Sequence, residues 1–375
     1  MSNQISRSIC FVEPQDLEEM LCLTEDKYLS KILGESKSPM FLPVCVTYLT
    51  IFIVGVLGNS LTCAVILRYK VMQTPTNYYL LSLAASDLLV LLLGMPLEIY
   101  EMWQNYPFLL GEGGCYFKTF LFETVCFASI LNVTALSVER YVAVVHPLKV
   151  KHLTTRAHVK RVILMLWGLS MLCALPNTSL HGIEVLPPKF GRQFPRSAIC
   201  QLVKPIWMYN LIILISTLVF FLLPMLIISV LYLLIGLRLR RERVLTTVDT
   251  NCGFGSESIS SSHRQRLSVL VVVFGLCWAP FHIDRLMWSY INISYEQHRR
   301  IFEHVHVISG VLFYLSSAVN PILYNLMSTR FREMFSHITC YSNSWREHSR
   351  SFQMTQRSTL REKTPQSNKM TSGAF

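Results

Sequence analysis

Three carboxylates lie within or at the ends of otherwise apolar stretches of this chain, Asp87, Glu98 and Glu123. Glu98 follows Asp87 by 11 residues, so on a helix the two side chains differ by only about 20° of rotation, with Glu98 about 16 Å further along. A buried carboxylate needs a cation or hydrogen-bond donors. Arg285 is one partner within the chain, but one guanidinium cannot satisfy two separated carboxylates well. We therefore favour a ligand that brings an Arg or Lys to Glu98 and Glu123.

Asp87 lies in the middle of its apolar stretch, where an ionised carboxylate in a membrane costs at least about 2.5 kcal/mol. It therefore needs polar partners, and those at comparable depth are Asn59, Ser129, Ser316, Ser317 and Asn320. A structural hydrogen-bond node is one interpretation, and an ion- or proton-sensitive switch is the one we favour. If the switch responds to an ion, a sodium ion near Asp87 and Ser129 is the candidate. No other metal site is predicted, because His304 and His306 alone make a poor one.

The chain has seven apolar stretches, five of which contain or adjoin these residues. A stretch of about 20 helical residues crosses a hydrocarbon core of about 30 Å. The chain is 51% hydrophobic and 15% charged, which is too apolar for a soluble domain of 375 residues. We predict an all-α membrane protein with a seven-transmembrane helix bundle. Its helices, called spans one to seven, are expected at 41–67, 77–97, 119–138, 162–180, 205–237, 267–283 and 305–327.

The segments that flank the predicted bundle of 41–327 are polar. Lys and Arg concentrate after spans one, three, five and seven, whereas residues 1–40 contain more acids than bases. The positive-inside rule therefore places the N-terminal tail, 1–40, outside the cell and the C-terminus in the cytoplasm. We expect a short amphipathic helix on the inner leaflet at 328–340 and a disordered tail at 341–375. The net charge of +11 mostly reflects this topology and does not indicate nucleic-acid binding.

Four residues on the predicted outer and inner faces are candidates for covalent modification. Cys115 opens span three and Cys200 lies in the loop between spans four and five, both in oxidising surroundings. A disulfide between them would pin that loop over the mouth of the bundle. Asn292, in an Asn-Ile-Ser sequon, is a better glycosylation candidate than Asn177, whose sequon lies in the last turn of span four. Cys340 is a candidate for palmitoylation.

Several spans carry residues that suit a moving helix. Glu139 and Arg140 lie at the inner end of span three, where Glu139 can neutralise Arg140 in one conformation and release it in another. Pro224, Pro280 and Pro321 each remove a backbone hydrogen bond and kink their helix. A static ion pair and three packing kinks are the alternative. We favour helices that pivot, with an arginine at the inner face.

The order of these residues resembles the class A, or rhodopsin-like, family of G-protein-coupled receptors. The resemblance is carried by Asn59, Asp87, Glu139-Arg140-Tyr141, Trp167, Pro224, Cys277-Trp278-Ala279-Pro280 and Asn320-Pro321-Ile322-Leu323-Tyr324. In closer detail, the runs 74–79, 98–103, 105–110, 176–182 and 279–285 resemble the neuromedin U receptors, and 138–148 and 232–243 look most like the type 1 members.

This resemblance implies a receptor for the amidated neuropeptides neuromedin U and neuromedin S, which end in an amidated Arg-Asn. Glu98 and Glu123 would take the arginine, while Arg285 and Asn177 would meet carbonyls near the amide. The expected ligand site comprises Glu98, Glu123, Asn177, Phe281, Arg285 and Phe313.

The resemblance also implies an activation switch that leads to a Gq-class G protein, phospholipase C and calcium release. Receptor kinases and arrestin are the other expected protein partners. The expected switch residues are Asn59, Asp87, Ser129, Ile130, Glu139, Arg140, Pro224, Tyr232, Phe274, Trp278, Pro280, Asn320, Pro321 and Tyr324.

Other function classes fit the sequence less well. The spans lack three motifs on which many enzymes rely: paired acids, a His-x-x-x-His set and Gly-x-Ser-x-Gly. A transporter would show repeated halves with matching broken helices, and this chain has none. We predict a receptor that is not an enzyme and uses no cofactor. A class A receptor for another amidated or Arg-containing peptide is the main alternative, and a transporter is a distant one.

Overall fold

The computed structural model describes residues 24–146, 155–188, 193–249, 257–290, 296–327 and 333–334. Long helices make up most of this part of the chain. Because each span is almost uniformly apolar, its backbone polar groups can be satisfied only within the helix.

The helices of the bundle are longer than the apolar stretches, since a helix can continue past the hydrocarbon core where its charged ends meet water. Their bounds are Phe41–Arg68, Pro75–Leu89 continuing through Met95–Trp103, Gly111–Val145, Arg156–Thr178, Ile206–Thr217 continuing through Leu223–Asp249, Glu257–Tyr290 and Glu296–Met327. In the described part of the chain, six of these seven helices are long and apolar enough to cross a bilayer. The exception is span six, where the side chains of 257–271 are not described.

Span three occupies the centre of the bundle and packs against spans two, four and five, while span seven packs against spans one, two and six. Two apolar clusters fill the interior. One includes Ile66, Leu80, Ile130 and Ile228, and the other surrounds Trp278. Large apolar side chains also cover the outward faces of the spans, where lipid would surround them.

Spans two and five are each interrupted by a π-helical turn, at Val90–Gly94 and Leu218–Leu222. In both cases a proline, Pro96 or Pro224, follows two residues after the turn. A proline ring in a regular α-helix clashes with the carbonyl four residues earlier, which here would lie inside the π turn. The wider turn makes room for the ring, so Pro224 acts through a π turn that the sequence analysis did not foresee.

A β-hairpin covers one end of the bundle, in the connection between spans four and five. Strand β1, His181–Glu184, pairs antiparallel with β2, Ile199–Leu202. This end is called the disulfide end, because Cys200 of β2 is bonded to Cys115 of span three. The other end is called the Glu139 end.

A helix at Glu25–Leu33 also packs on the disulfide end, although residues 1–40 were predicted as a tail. Its Tyr28 and Leu29 join an apolar cluster with Tyr106, Phe194 and Ile199. The Tyr28 ring stacks on Phe194 at 4.7 Å. Polar residues dominate this segment by composition, but its apolar residues Tyr28, Leu29, Ile32 and Leu33 have the i, i+1, i+4, i+5 spacing of an amphipathic helix. The sequence analysis missed this signal.

Some predicted features lie outside the described residues. They are the tail at 341–375, all of the amphipathic helix at 328–340 except Glu333 and Met334, the glycosylation candidate Asn292 and the palmitoylation candidate Cys340. Tyr324 lies in the helix of span seven, but its side chain is also outside the described set.

Candidate ligand-binding site and switch residues

The disulfide anchors the hairpin to the bundle. The predicted bridge between Cys115 and Cys200 is present, with the two Cα atoms 5.5 Å apart. Cys200 pairs with Ile183 across the hairpin, so the covalent link holds both strands against span three. The disulfide prediction is therefore confirmed.

Glu123 lies below this hairpin and already has partners. Arg285 of span six forms an ion pair with one carboxylate oxygen, and the Asn177 side-chain amide donates to the same oxygen at 2.8 Å. The pairing of Arg285 within the chain, weighed above as the alternative, is the arrangement that the structure shows. Within the described residues, the other Glu123 oxygen and the Asn177 side-chain carbonyl are buried and have no hydrogen-bond partner.

Glu98 is held differently: among the described residues its carboxylate is bonded by neutral donors and by no cation. The hydroxyls of Tyr48 in span one and Tyr314 in span seven each donate to one of its oxygens, both at 2.7 Å. The sequence analysis expected a cationic partner and missed both tyrosines. A tyrosine inside an apolar span was the available signal, because a buried phenol hydroxyl needs a hydrogen-bond partner.

Aromatic rings cover the space between the two acids. Phe281 stacks on Phe313 at 5.1 Å, and the Arg285 guanidinium lies 5.3 Å from the centre of the Phe281 ring. The Trp278 ring packs edge-on against Phe313 at 5.6 Å. The structure thus brings together the six predicted ligand residues through two acidic centres, Glu98 and Glu123, and an aromatic floor.

A cavity of about 330 Å³ opens beside Glu98 between spans one, two and seven. Its lining includes Glu101, which forms an ion pair with Lys118, and His306, whose ring lies 3.1 Å from the Asp284 carboxylate. No group of three or more His, Cys, Asp or Glu side chains could hold a metal ion within the described ranges.

The middle of the bundle contains the predicted Asp87 cluster. The Asn320 amide donates to Asp87 at 2.9 Å. The Asn59 amide donates to the backbone carbonyls of Gly55 and Ser317, both at 2.9 Å, and the Ser129 side chain of span three is buried. Spans one, two and seven are therefore joined by hydrogen bonds at this level.

At the Glu139 end, the expected ion pair between Glu139 and Arg140 is not formed. The Glu139 carboxylate instead accepts a hydrogen bond from the Thr76 hydroxyl at 2.8 Å. Adjacent residues on one helix do not face each other, whereas Thr76, in the first turn of span two, lies opposite Glu139. The Tyr232 hydroxyl of span five contacts the Ser137 hydroxyl at 3.4 Å on the other side of span three.

Comparison with known proteins places this arrangement in a family. A model described as the 7 transmembrane receptor (rhodopsin family) matches residues 58–324. The chain belongs to the rhodopsin family of seven-transmembrane receptors. This rhodopsin-family chain is therefore a multi-pass protein of the plasma membrane and not an enzyme, and its seven-transmembrane helical fold is confirmed.

Individual receptors of the same family are similar over most of the chain. Neuromedin-U receptor 1 of Homo sapiens is 58% identical over 342 residues, which cover 88% of this chain and 79% of that receptor. Neuromedin-U receptor 2 of Homo sapiens is 54% identical over 321 residues, 85% of this chain and 77% of that receptor. The Pyrokinin-1 receptor of Drosophila melanogaster is 35% identical over 366 residues, 83% of each chain. The resemblance to the neuromedin U receptors, and most to type 1, is confirmed.

Proposed function

We propose that this chain is a G-protein-coupled receptor for the amidated peptide neuromedin U, with neuromedin S as a second ligand. The similarity to two neuromedin-U receptors supports the ligand class. The observation that carries the proposal is Glu123, a buried carboxylate with one oxygen that lacks a hydrogen-bond donor in the described part of the chain. A buried acceptor of this kind favours a ligand that supplies N–H donors.

The ligand arginine lies between Glu98 and Glu123 in this proposal. Each Glu98 oxygen has accepted one hydrogen bond, and a carboxylate has about four acceptor positions, so Glu98 can accept further N–H groups. Arg285 serves two partners, because it holds the Glu123 carboxylate in place and presents its remaining N–H groups to a peptide carbonyl. The Asn177 side-chain carbonyl, which has no donor among the described residues, accepts from the terminal amide.

The disulfide end faces the outside of the cell in this proposal, and the Glu139 end faces the cytoplasm. Ligand contact with Phe281 and Phe313 reaches Trp278 and, through a ring stack of 5.3 Å, Phe274. Span six then pivots at Pro280, and Arg140 turns toward Tyr232 and Tyr324. The opened cleft admits a Gq-class G protein, which activates phospholipase C and releases calcium, and receptor kinases and arrestin act on the same end.

A calcium-flux assay in transfected cells tests the ligand site. Removing one partner of a buried charge pair costs about 2 to 5 kcal/mol, so Glu123→Gln should weaken activation by amidated neuromedin U at least tenfold. Glu98→Gln should act in the same direction. Glu112→Gln is the matched control, because Glu112 is exposed and accepts a hydrogen bond from Tyr116 of its own helix.

The free-acid peptide should also be weaker than the amide, since a terminal carboxylate cannot donate to the Asn177 carbonyl and would place a negative charge in a site that already contains Glu123. Potency within threefold of the parent for both Glu98→Gln and Glu123→Gln would overturn the proposed placement. Strong activation by an unrelated amidated peptide ending in Arg, with no response to neuromedin U, would favour the alternative receptor class.

A further inference from the structure

The carboxylate of Glu98 is fixed by a cluster of residues that the ligand does not need to touch. Tyr48 donates to one oxygen and Tyr314 to the other, and the two rings pack edge to face with centres 4.9 Å apart. Both tyrosines are fully buried. Because the donors come from spans one and seven and the acceptor from span two, the three helices define one orientation of the carboxylate.

Gly310 makes this arrangement possible. A Cβ atom at this position of span seven would collide with the Tyr48 hydroxyl and would lie 3.1 Å from the nearer Glu98 oxygen. The missing side chain therefore leaves room for a hydroxyl between two helices. The Glu98–Tyr48 contact depends on the identity of residue 310 as well as on its own two side chains.

We propose that Tyr48 and Tyr314, with Gly310 as the spacer, are positioning residues that aim the Glu98 carboxylate at a cationic group of the ligand. Each hydroxyl uses one acceptor position of one oxygen and leaves further positions of both oxygens available to a guanidinium. The orientation is set before the ligand arrives, so less ordering is needed on binding. The inference rests on the proposed contact between Glu98 and the ligand arginine.

The test compares two peptides, amidated neuromedin U and the same peptide with citrulline in place of the arginine next to its C-terminal residue. Citrulline keeps the shape of arginine and removes its charge, so the ratio of the two potencies reports contact with a carboxylate. Tyr48→Phe and Tyr314→Phe should each reduce this ratio by about tenfold, because each removes a hydrogen bond to a charged group. Gly310→Ala should reduce it in the same direction.

Two controls separate a change in the orientation of the Glu98 carboxylate from a nonspecific loss of receptor function. Tyr116→Phe removes a comparable bond from a tyrosine to a glutamate, Glu112, but at an exposed position, and should leave the ratio unchanged. Gly168→Ala adds a methyl group where nothing lies within 4 Å. In a Glu98→Gln background, Tyr48→Phe and Tyr314→Phe should cause no further loss of the ratio.

The outcomes distinguish this inference from the proposed function. If Glu98→Gln lowers the ratio but both Phe variants keep it, or if they weaken both peptides equally, the positioning role is wrong while the ligand site stands. If Glu98→Gln itself leaves the ratio at the parental value, the proposed contact with the ligand arginine is wrong, and the positioning role falls with it. Surface expression measured for each variant confirms that the comparison is made on folded receptor.

Discussion

The Thr76 hydroxyl donates a 2.8 Å hydrogen bond to the Glu139 carboxylate and so joins the start of span two to the end of span three. No ion pair within 4.0 Å links Glu139 to its neighbour Arg140, and both residues are described. The second Glu139 oxygen is buried without a hydrogen-bond partner in the described part of the chain. A hydrogen bond between two spans can therefore restrain the Glu139 end in place of the expected pair within one span.

Loss of this restraint should raise basal signalling. Glu139→Gln removes the charge and Thr76→Val removes the donor, and a hydrogen bond to a charged group is worth about 1.5 to 3 kcal/mol. We expect basal calcium signalling to rise at least about twofold in either variant. Thr47→Val is the control, because Thr47 is exposed and donates to the Pro43 carbonyl of its own helix.

Arg140→Ala should abolish calcium signalling while peptide binding survives, since Arg140 lies at the opposite end of span three from Glu123 and the hairpin. Radioligand binding and calcium flux measured on the same cells separate the two effects. Normal signalling by a well-expressed Arg140→Ala receptor would show that the chain switches by another route.

The disulfide should be needed for ligand binding. Cys115→Ser or Cys200→Ser releases β2 from span three, and the hairpin then no longer stays over Glu123. We expect loss of specific peptide binding at the cell surface, measured with a labelled peptide. Cys45→Ser changes a free cysteine and should bind normally. Unchanged affinity in both disulfide variants would contradict the role assigned to the hairpin.

The N-terminal helix should detach when its aromatic contact is removed. Phe194→Ala deletes a buried ring that stacks on Tyr28, a type of change that costs about 3 to 5 kcal/mol in a packed core. Amide hydrogen exchange at 25–33 should accelerate more than tenfold. Asp26→Asn breaks only an exposed pair with Arg196, worth about 0 to 1 kcal/mol, and should leave exchange nearly unchanged.

His181, at the start of β1, gives the hairpin a dependence on pH. Burial lowers the pKa of His181 below its usual 6.5, against the opposing effects of its bond to the Asn177 carbonyl and of Glu123. The unfolded state therefore binds the proton more readily, and stability present above about pH 6.5 is lost as the pH falls below it. The thermal midpoint of purified receptor should drop between pH 7.5 and 5.5.

Replacing this histidine should remove part of that pH dependence. His181→Asn should flatten the change in thermal midpoint, whereas His158→Asn, at an exposed position in span four, should not. An equal pH response in the parent and in His181→Asn would assign the effect to other groups.

The spans and the disulfide could be predicted from the sequence because each rests on a strong local signal, a long apolar run or two cysteines on one face. The partners of Glu98 and Glu139 could not, because Tyr48, Tyr314 and Thr76 approach through helix packing across 50 or more residues of sequence. The same limit applies to the ion pair of Arg285 with Glu123, which the sequence analysis gave only as the alternative to a ligand cation and which joins residues 162 positions apart.

The π turn at Val90–Gly94 makes span two one residue longer than a regular helix of the same height. Loss of one residue from this turn would restore a plain α-helix and rotate everything beyond it by about 100°. Glu98 would then swing away from Tyr48 while Asp87, on the near side, kept its place beside Asn320. An insertion or deletion in this turn would thus move Glu98, the proposed ligand contact, and leave the hydrogen bond between Asp87 and Asn320 in place. Sequence alignments that run through the turn without a gap will misplace the outer residues of span two.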